Sequence, residues 1–454
     1  MTTAVLLSQL GKRVLVLEQH YVPGGFTHMF KRHGYEWDVG LHAVGEATDN
    51  YVAGRMLAQL TRGKLQWASL GDVYDEFYWP DGFRVDVPRG GQELRDRLVD
   101  LFPNEASAVD HYLELARDVV RGMKGHFLAR TMPRAFTPAL DQMLARPALR
   151  HRGRTTARVL TELTGDERLR AVLTAQWGYY GSVPARSSFA AHAAVHRHFI
   201  GGAFYPVGGA KQIARHMLQT LADNGGWTRT SCSVDQIVVE GGKAVGVRLS
   251  DGEEIRARRV VSAAGLGATV RNLLPEGERN RRWAKSLARL PPTPAHVCLY
   301  LGFKGDITEA GCRRASRWYY DSWNNDATWQ IDEHGELGPA PLLYCSFPSL
   351  KDPDHDPGPD RRHTGQALTF VPWQAFERWQ TTAWQERGST YEDFKQRLEE
   401  SLLEQLYAKL PGLRGMVDHV ELSTPLSTDA FCRPLSGAIY GLEPTPERFA
   451  SRWV

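Results

Sequence analysis

Glu18 closes a run of four apolar residues, Val14 to Leu17, and a glycine pair, Gly24-Gly25, follows after a short gap. An acid at the end of such a strand is placed to accept hydrogen bonds from nucleotide ribose hydroxyls, and paired glycines let backbone amides approach a pyrophosphate. Asp38, Gly40 and His42 come next, in a D-x-G-x-H segment. His192 and His196 stand at i and i+4 in AAHAAVHRHFIGG, on one face of a helix. They are open to two readings, a pair that lines a site and donates a proton or a packed pair, and as metal ligands they lack a third partner. Asp352, Asp354, His355, Asp356, Asp360 and His363 crowd one Pro- and Gly-rich stretch. It reads as an exposed loop without fixed ligand spacing, so no metal site is expected.

The elements that must position these residues follow from periodicity. Leu6, Leu7 and Leu10 are spaced as in a helix that Gly11 stops. The apolar run Val14–Leu17 reads as a strand covered on both faces, as in a parallel sheet. Tyr205-Pro206 and Gly208-Gly209 form a turn before a helical stripe of Ile213, Met217, Leu218 and Leu221. The stretch VDQIVVEGGKAVGVRLSDGEEIRARRVVSAAG alternates as a β-meander with turns at Gly241-Gly242 and Asp251-Gly252. Ser389 and Glu392 read as a capping box opening a helix that turns Phe394, Leu398, Leu402, Leu403 and Leu406 inward.

With 454 residues, 42% hydrophobic and 24% charged, the chain has the composition of a globular enzyme of two or more domains. The formal charge of +3 provides no field that would select nucleic acid. Five cysteines without a CxxC pair favour reduced thiols in a cytoplasmic setting. No apolar run approaches the length of a membrane span, and the N-terminus lacks a basic region and cleavage site of the signal-peptide kind.

The longer pattern LEQHYVPGGFTHMFKRHGYEWDVGLHAVG, Leu17 to Gly45, resembles the start of the phytoene desaturase, carotenoid isomerase and retinol saturase group of FAD enzymes. KDP and TFVPW, farther along, are similar to the saturase branch. The resemblance implies an α/β fold, an FAD-binding Rossmann-like domain with an inserted α+β substrate domain. It implies FAD contacts at Glu18, Gly24, Gly25, Asp38 and Gly40, at Val234 near the adenine, at Ala264 and Gly265 in the strand VVSAAG, and at Gly437 and Tyr440 in GAIYGL. The parts are expected at 1–91 and 201–290 for the FAD-binding domain, 92–200 for a helical insert, 291–424 for the substrate domain and 425–454 for the start of the return to the FAD domain. The group's GxGxxG and its closing C-terminal segment have no counterpart here, so the FAD domain is expected to be truncated at both ends.

Between Arg121 and Arg158 nine Lys or Arg face one acid, Asp141, interleaved with Phe127, Leu128, Met132, Phe136 and Leu144. A solvated basic face and a membrane-surface patch both fit that pattern. The resemblance implies a lipophilic polyene substrate, for which a peripheral membrane contact is useful, and redox chemistry on its carbon–carbon bonds. A flavin amine oxidase and a remnant that binds no flavin are the competing expectations.

Overall fold

The computed structural model describes residues 1–133, 136–332, 336–451 and 453. The helix Thr2–Gln9 ends at Gly11, whose φ of +71° is the left-handed conformation expected of its stop. The next strand, Leu15–Leu17, pairs in parallel with Trp227–Arg229. This strand is less covered than its composition suggests. Leu15 is 40% exposed, because the strand joins only one partner in a two-stranded sheet. The helix Lys211–Asp223 packs Met217 and Leu221 against Val5 and Leu60, as its stripe predicts.

The meander forms as expected, with strands Val234–Glu240, Lys243–Leu249 and Glu254–Arg256 joined antiparallel. Gly241 and Gly242 take φ of +56° and +75°, as a tight hairpin turn requires. The expected strand at VVSAAG does not form. Residues 261–265 are exposed and in no ladder, since no neighbouring strand supplies their hydrogen bonds among the described residues.

A seven-stranded sheet dominates, in the order Val417–Ser423, Ala295–Phe303, His363–Val371, Leu342–Ser346, Ser316–Tyr320, Val73–Tyr78, Arg84–Pro88. Its one parallel pair joins Ser316–Tyr320 to Val73–Tyr78. The stretch 1–91 therefore feeds this sheet as well as the parallel pair at Leu15–Leu17. One face carries an aromatic core with Trp37, Phe77, Trp318 and Tyr344, and the other packs on the helix Ser389–Lys409. That helix turns Phe394, Leu398, Leu402 and Leu406 inward as predicted, but its capping box is absent. Gly388, at φ +83°, is the N-cap, which places Ser389 one position inside the helix.

The helix Ala106–Arg130 spans 25 residues and leads the insert. Gly122 and Gly125 let the following helices, Thr137–Leu144 and Arg146–His151, lie against it. A Cβ at Gly125 would stand 2.5 Å from the Leu144 carbonyl oxygen. The distal tip leaves Phe127, Leu128, Met132, Phe136 and Met143 at least half exposed. Arg134, one of the insert's cations, lies outside the described residues. Among the described residues no helix is long and apolar enough to cross a membrane.

Candidate functional site

Two places in the fold gather the residues singled out above. The first is a crevice of about 220 Å³ lined by Gln19, His20, Tyr21, Ser231, Ser233, Ala430, Phe431 and Arg433. It opens at the end of the strand Leu15–Leu17, where Glu18 donates its amide to Arg229 O at 2.9 Å. Glu18 Oε1 accepts the His20 amide at 2.9 Å and so holds the turn that forms one wall. Val234 begins the strand that leaves the opposite wall. Gly24 and Gly25 follow at φ +129° and +56°, and a Cβ on Gly25 would meet nothing within 4 Å. Gly265 is likewise at positive φ with open space, beside an exposed Ala264.

The second place is a buried polar cluster built on the strap Asp38–His42. The Asp38 carboxylate is fully buried; it accepts the Ala210 amide at 2.9 Å and a hydrogen bond from the Tyr205 hydroxyl. The Asp38 carbonyl accepts from Gln366 Nε2, and the Val39 carbonyl from Tyr300 at 3.0 Å. The His42 carbonyl accepts from Lys351 Nζ at 2.9 Å. Donors on separate parts of the chain thus fix the whole strap. Gly40 fits closely within it, since a Cβ would lie 3.1 Å from the Phe26 side chain.

Around the strap five groups depart from their ordinary acidity. Burial pushes the Asp38 carboxyl up to about 6, against the Tyr205 and Ala210 hydrogen bonds that lower it. Burial likewise raises Asp75 to about 7, although Tyr179, Trp318 and Gln176 all donate to it. Lys351, with no exposed surface, is brought down to about 7 by burial, which outweighs the opposing pull of Asp75 and Asp38. His42 and His296 are pushed down to about 3 and about 4 by burial, so both are neutral at physiological pH. Each has a buried Nδ1 without a hydrogen-bond partner, as does Gln366 Oε1.

The Asp75 shift has a measurable sign. An acid that binds its proton more tightly when folded contributes a cost that grows as pH rises from its ordinary 3.8 to about 7. An asparagine side chain at this position would keep the Oδ1 acceptor that Tyr179 and Trp318 use. Asp75→Asn is therefore expected to raise stability at pH 7.5 relative to pH 5 by on the order of 2 kcal/mol compared with wild type. Urea unfolding at the two pH values checks this, and parallel losses at both would refute it.

Other expected residues lie elsewhere. His192 is buried in the insert, with Nε2 at 2.8 Å from the Tyr112 hydroxyl and Nδ1 at 3.2 Å from the Tyr180 hydroxyl. Its ring nitrogens are thus both occupied by tyrosines. His196 packs edge-on against Tyr112 with Nε2 buried and unpartnered. Tyr440 is 46% exposed, and it lies over Gly181, where a Cβ would come within 2.7 Å of its ring. Gly437, at φ +62°, fits tightly against Pro425 and Trp373. Lys351, Asp75 and His296 are the site residues that the sequence reading did not single out, and Tyr205 entered it only as part of a turn. Only the KDP similarity touches one of them.

The two places suit the two ends of a flavin dinucleotide. Glu18 stands at the strand end beside the first crevice, and Gly25 and Gly265 have open space where a Cβ would stand. The unpartnered Nδ1 atoms of His42 and His296 offer polar contacts to a heteroaromatic ring. Asp38 and Gly40 shape the strap rather than ending in an open cavity.

The family model described as flavin containing amine oxidoreductase matches residues 1–405. The chain is 31% identical over 471 residues to all-trans-retinol 13,14-reductase of Danio rerio, covering 99% of this chain and 76% of that one. It is 24% identical over 454 residues to chloroplastic prolycopene isomerase of Daucus carota, covering 98% and 70%. Among solved structures, an oxidoreductase from Methanosarcina mazei shares the fold with a TM-score of 0.60 at 15% identity, covering 99% of this chain and 96% of that one. The α/β architecture and the match over most of the length agree: the chain belongs to the flavin containing amine oxidoreductase family and takes FAD as its cofactor.

Proposed function

We propose that this protein is an FAD-dependent oxidoreductase acting on a carbon–carbon bond of a long isoprenoid polyene, in the saturating direction. The observation that carries this reading is the similarity across 99% of the chain to a retinol 13,14-reductase, a protein whose name states saturation of a conjugated bond. Bound FAD supplies hydride transfer to or from carbon. Glu18, Gly24, Gly25 and Val234 hold its adenosine and pyrophosphate half in this reading, with Ala264 and Gly265 alongside. The strap Asp38–His42 orients its ring. Gly437 and Tyr440 flank the same region from the C-terminal side, and His192 and His196 stiffen the insert.

Beside the strap, Tyr179, Trp318 and Tyr344 form a contiguous aromatic cluster in the core, with ring centroids 4.9 Å apart for the first pair and 4.4 Å for the second. Such a wall suits an apolar polyene and excludes water from the reacting bond. The insert tip serves the same substrate, since its apolar and basic side chains bring the protein to the bilayer where a polyene resides. We place the protein in the cytoplasm, in peripheral contact with that surface.

FAD-loaded protein, reduced without oxygen and mixed with all-trans-retinol or an acyclic carotene, is expected to yield a product heavier by two hydrogens. Its absorption should move to shorter wavelength. Polyenes of both lengths left unchanged would overturn the proposal. Turnover of an amine in their place would establish the competing amine oxidase reading, for which the lipophilic basic insert has no use.

A further inference from the structure

Lys351 is a lysine held in the interior without a bonded counterion, protonated on the acid side of about pH 7. Its Nζ donates to the His42 carbonyl, Ser316 Oγ and Ser346 Oγ, each at 2.9 Å, and all three are neutral oxygens. Among the described residues it makes no ion pair, and no part of it reaches solvent. Burying an ammonium in this way is costly unless a negative charge compensates it. Asp75 and Asp38 lie close enough to pull on Lys351, yet their carboxylates are taken up by other donors: Tyr179, Trp318 and Gln176 for Asp75, Tyr205 and Ala210 for Asp38.

The ammonium is also tightly placed. Tyr344 donates to the same Ser316 Oγ at 2.9 Å, and its ring meets the His42 imidazole edge-on at 5.0 Å. Lys351, Ser316, Tyr344 and His42 close a ring of contacts that leaves the ammonium no freedom to swing. The strap carries His42 and its unpartnered Nδ1, and His296 brings a second such nitrogen. A cation fixed behind polar atoms that await a ligand is arranged for a ligand that becomes negative.

We infer that Lys351 is the fixed positive charge that stabilises the reduced, anionic form of the FAD ring. It acts through space from behind the strap, as a positioning residue rather than one that touches the substrate. The inference rests on the proposed placement of the flavin ring at the Asp38–His42 strap. Reduction adds two electrons and a proton to the neutral ring and leaves one net negative charge. A nearby ammonium lowers the energy of that state and not of the oxidised one, so it raises the reduction potential.

The test is the midpoint potential of the protein-bound flavin at pH 6, where Lys351 is protonated, measured without polyene by equilibration with reference dyes. Lys351→Met is expected to shift the reduced-to-oxidised ratio at least tenfold towards oxidised, about 30 mV for a two-electron couple. Lys351→Arg should retain most of the wild-type value. Sulfite, whose lone pair adds to the oxidised ring and leaves the adduct negative, should bind Lys351→Met at least tenfold more weakly, read from bleaching of the flavin band.

The groups facing Lys351 are Asp38 and His42 on the strap, Asp75 on Val73–Tyr78, Tyr344 on Leu342–Ser346 through Ser316, and the adjoining Asp352. The advantage of wild type over Lys351→Met should fade as pH rises through the lysine's titration. If Lys351→Met retains no flavin, Ser346→Ala decides. With one acceptor lost the ammonium deprotonates more easily, so the potential should fall at pH 7.5 and recover at pH 6. A flavin-loaded Lys351→Met with wild-type potential and sulfite affinity, or a Ser346→Ala without the pH-dependent recovery, would overturn the inference. Because no polyene enters the measurement, this outcome is separate from the fate of the proposed reaction.

Discussion

Vesicles containing anionic lipid are expected to retain this protein at low salt, and vesicles of neutral lipid alone to retain it far less. Lys124, Arg130, Arg146 and Arg150 are exposed on the insert, and among the described residues none of them is held in an ion pair. Arg121, Arg154 and Arg158 are by contrast paired with Asp118 or Glu162. Four cations outside ion pairs, Arg130 among them with its Nε donating to His126, contribute roughly 1 kcal/mol each near a negative surface, which amounts to about three decades in partitioning.

Phe127 and Phe136, each 62% exposed, and Met143, 71% exposed, supply the apolar contact that dips below the headgroups. Their exposure together at one tip is not what packing within the chain would select. Reversing the four charges to Glu should abolish retention at low salt. Phe127→Ser with Phe136→Ser should weaken it in a way that salt does not mimic. Equal retention by neutral and anionic vesicles would show that the basic face is merely solvated.

How far the sequence revealed these features depended on the range of the interactions. The hairpins at Gly241-Gly242 and Asp251-Gly252 rest on local turn geometry, and they form as read. The buried stripe of Lys211–Asp223 is a matter of period and also holds. The capping box failed for a local reason: Gly388 at positive φ starts the helix and takes the cap position from Ser389. VVSAAG has the composition of a strand, but a strand exists only where another pairs with it.

The polar cluster was invisible for a different reason. Asp38, Asp75 and Lys351 lie far apart in sequence and meet only because the strands Val73–Tyr78 and Ser316–Tyr320 pair in parallel beside the strap. Lys351 stands at the edge of a run of Pro, Gly and Asp that reads as exposed. That reading holds for Asp354 to Arg362, much of which lines an open groove of about 600 Å³, and fails one turn earlier. His192 illustrates the converse. Its helical spacing with His196 was legible, but its occupation by Tyr112 and Tyr180 depends on helices more than ten residues away.

Glu18→Ala is expected to weaken flavin retention by roughly 1.5–3 kcal/mol, the range for a hydrogen bond to a charged group. In the proposed site the carboxylate accepts from the adenosine ribose, at the end of a parallel strand where nucleotide folds place such an acid. The structure adds a complication. Glu18 Oε1 already accepts the His20 amide, so removing the side chain also frees the turn that walls the crevice. Glu18→Gln separates the two effects, because its amide oxygen still accepts from His20 while the negative charge that strengthens a ribose hydrogen bond is gone. Retention should therefore fall in the order wild type, Glu18→Gln, Glu18→Ala, measured as FAD released during dialysis or titrated back into stripped protein. A Glu18→Gln as weak as Glu18→Ala would assign the whole effect to charge. Wild-type affinity in both variants would remove Glu18 from the flavin site and leave the crevice without its acid.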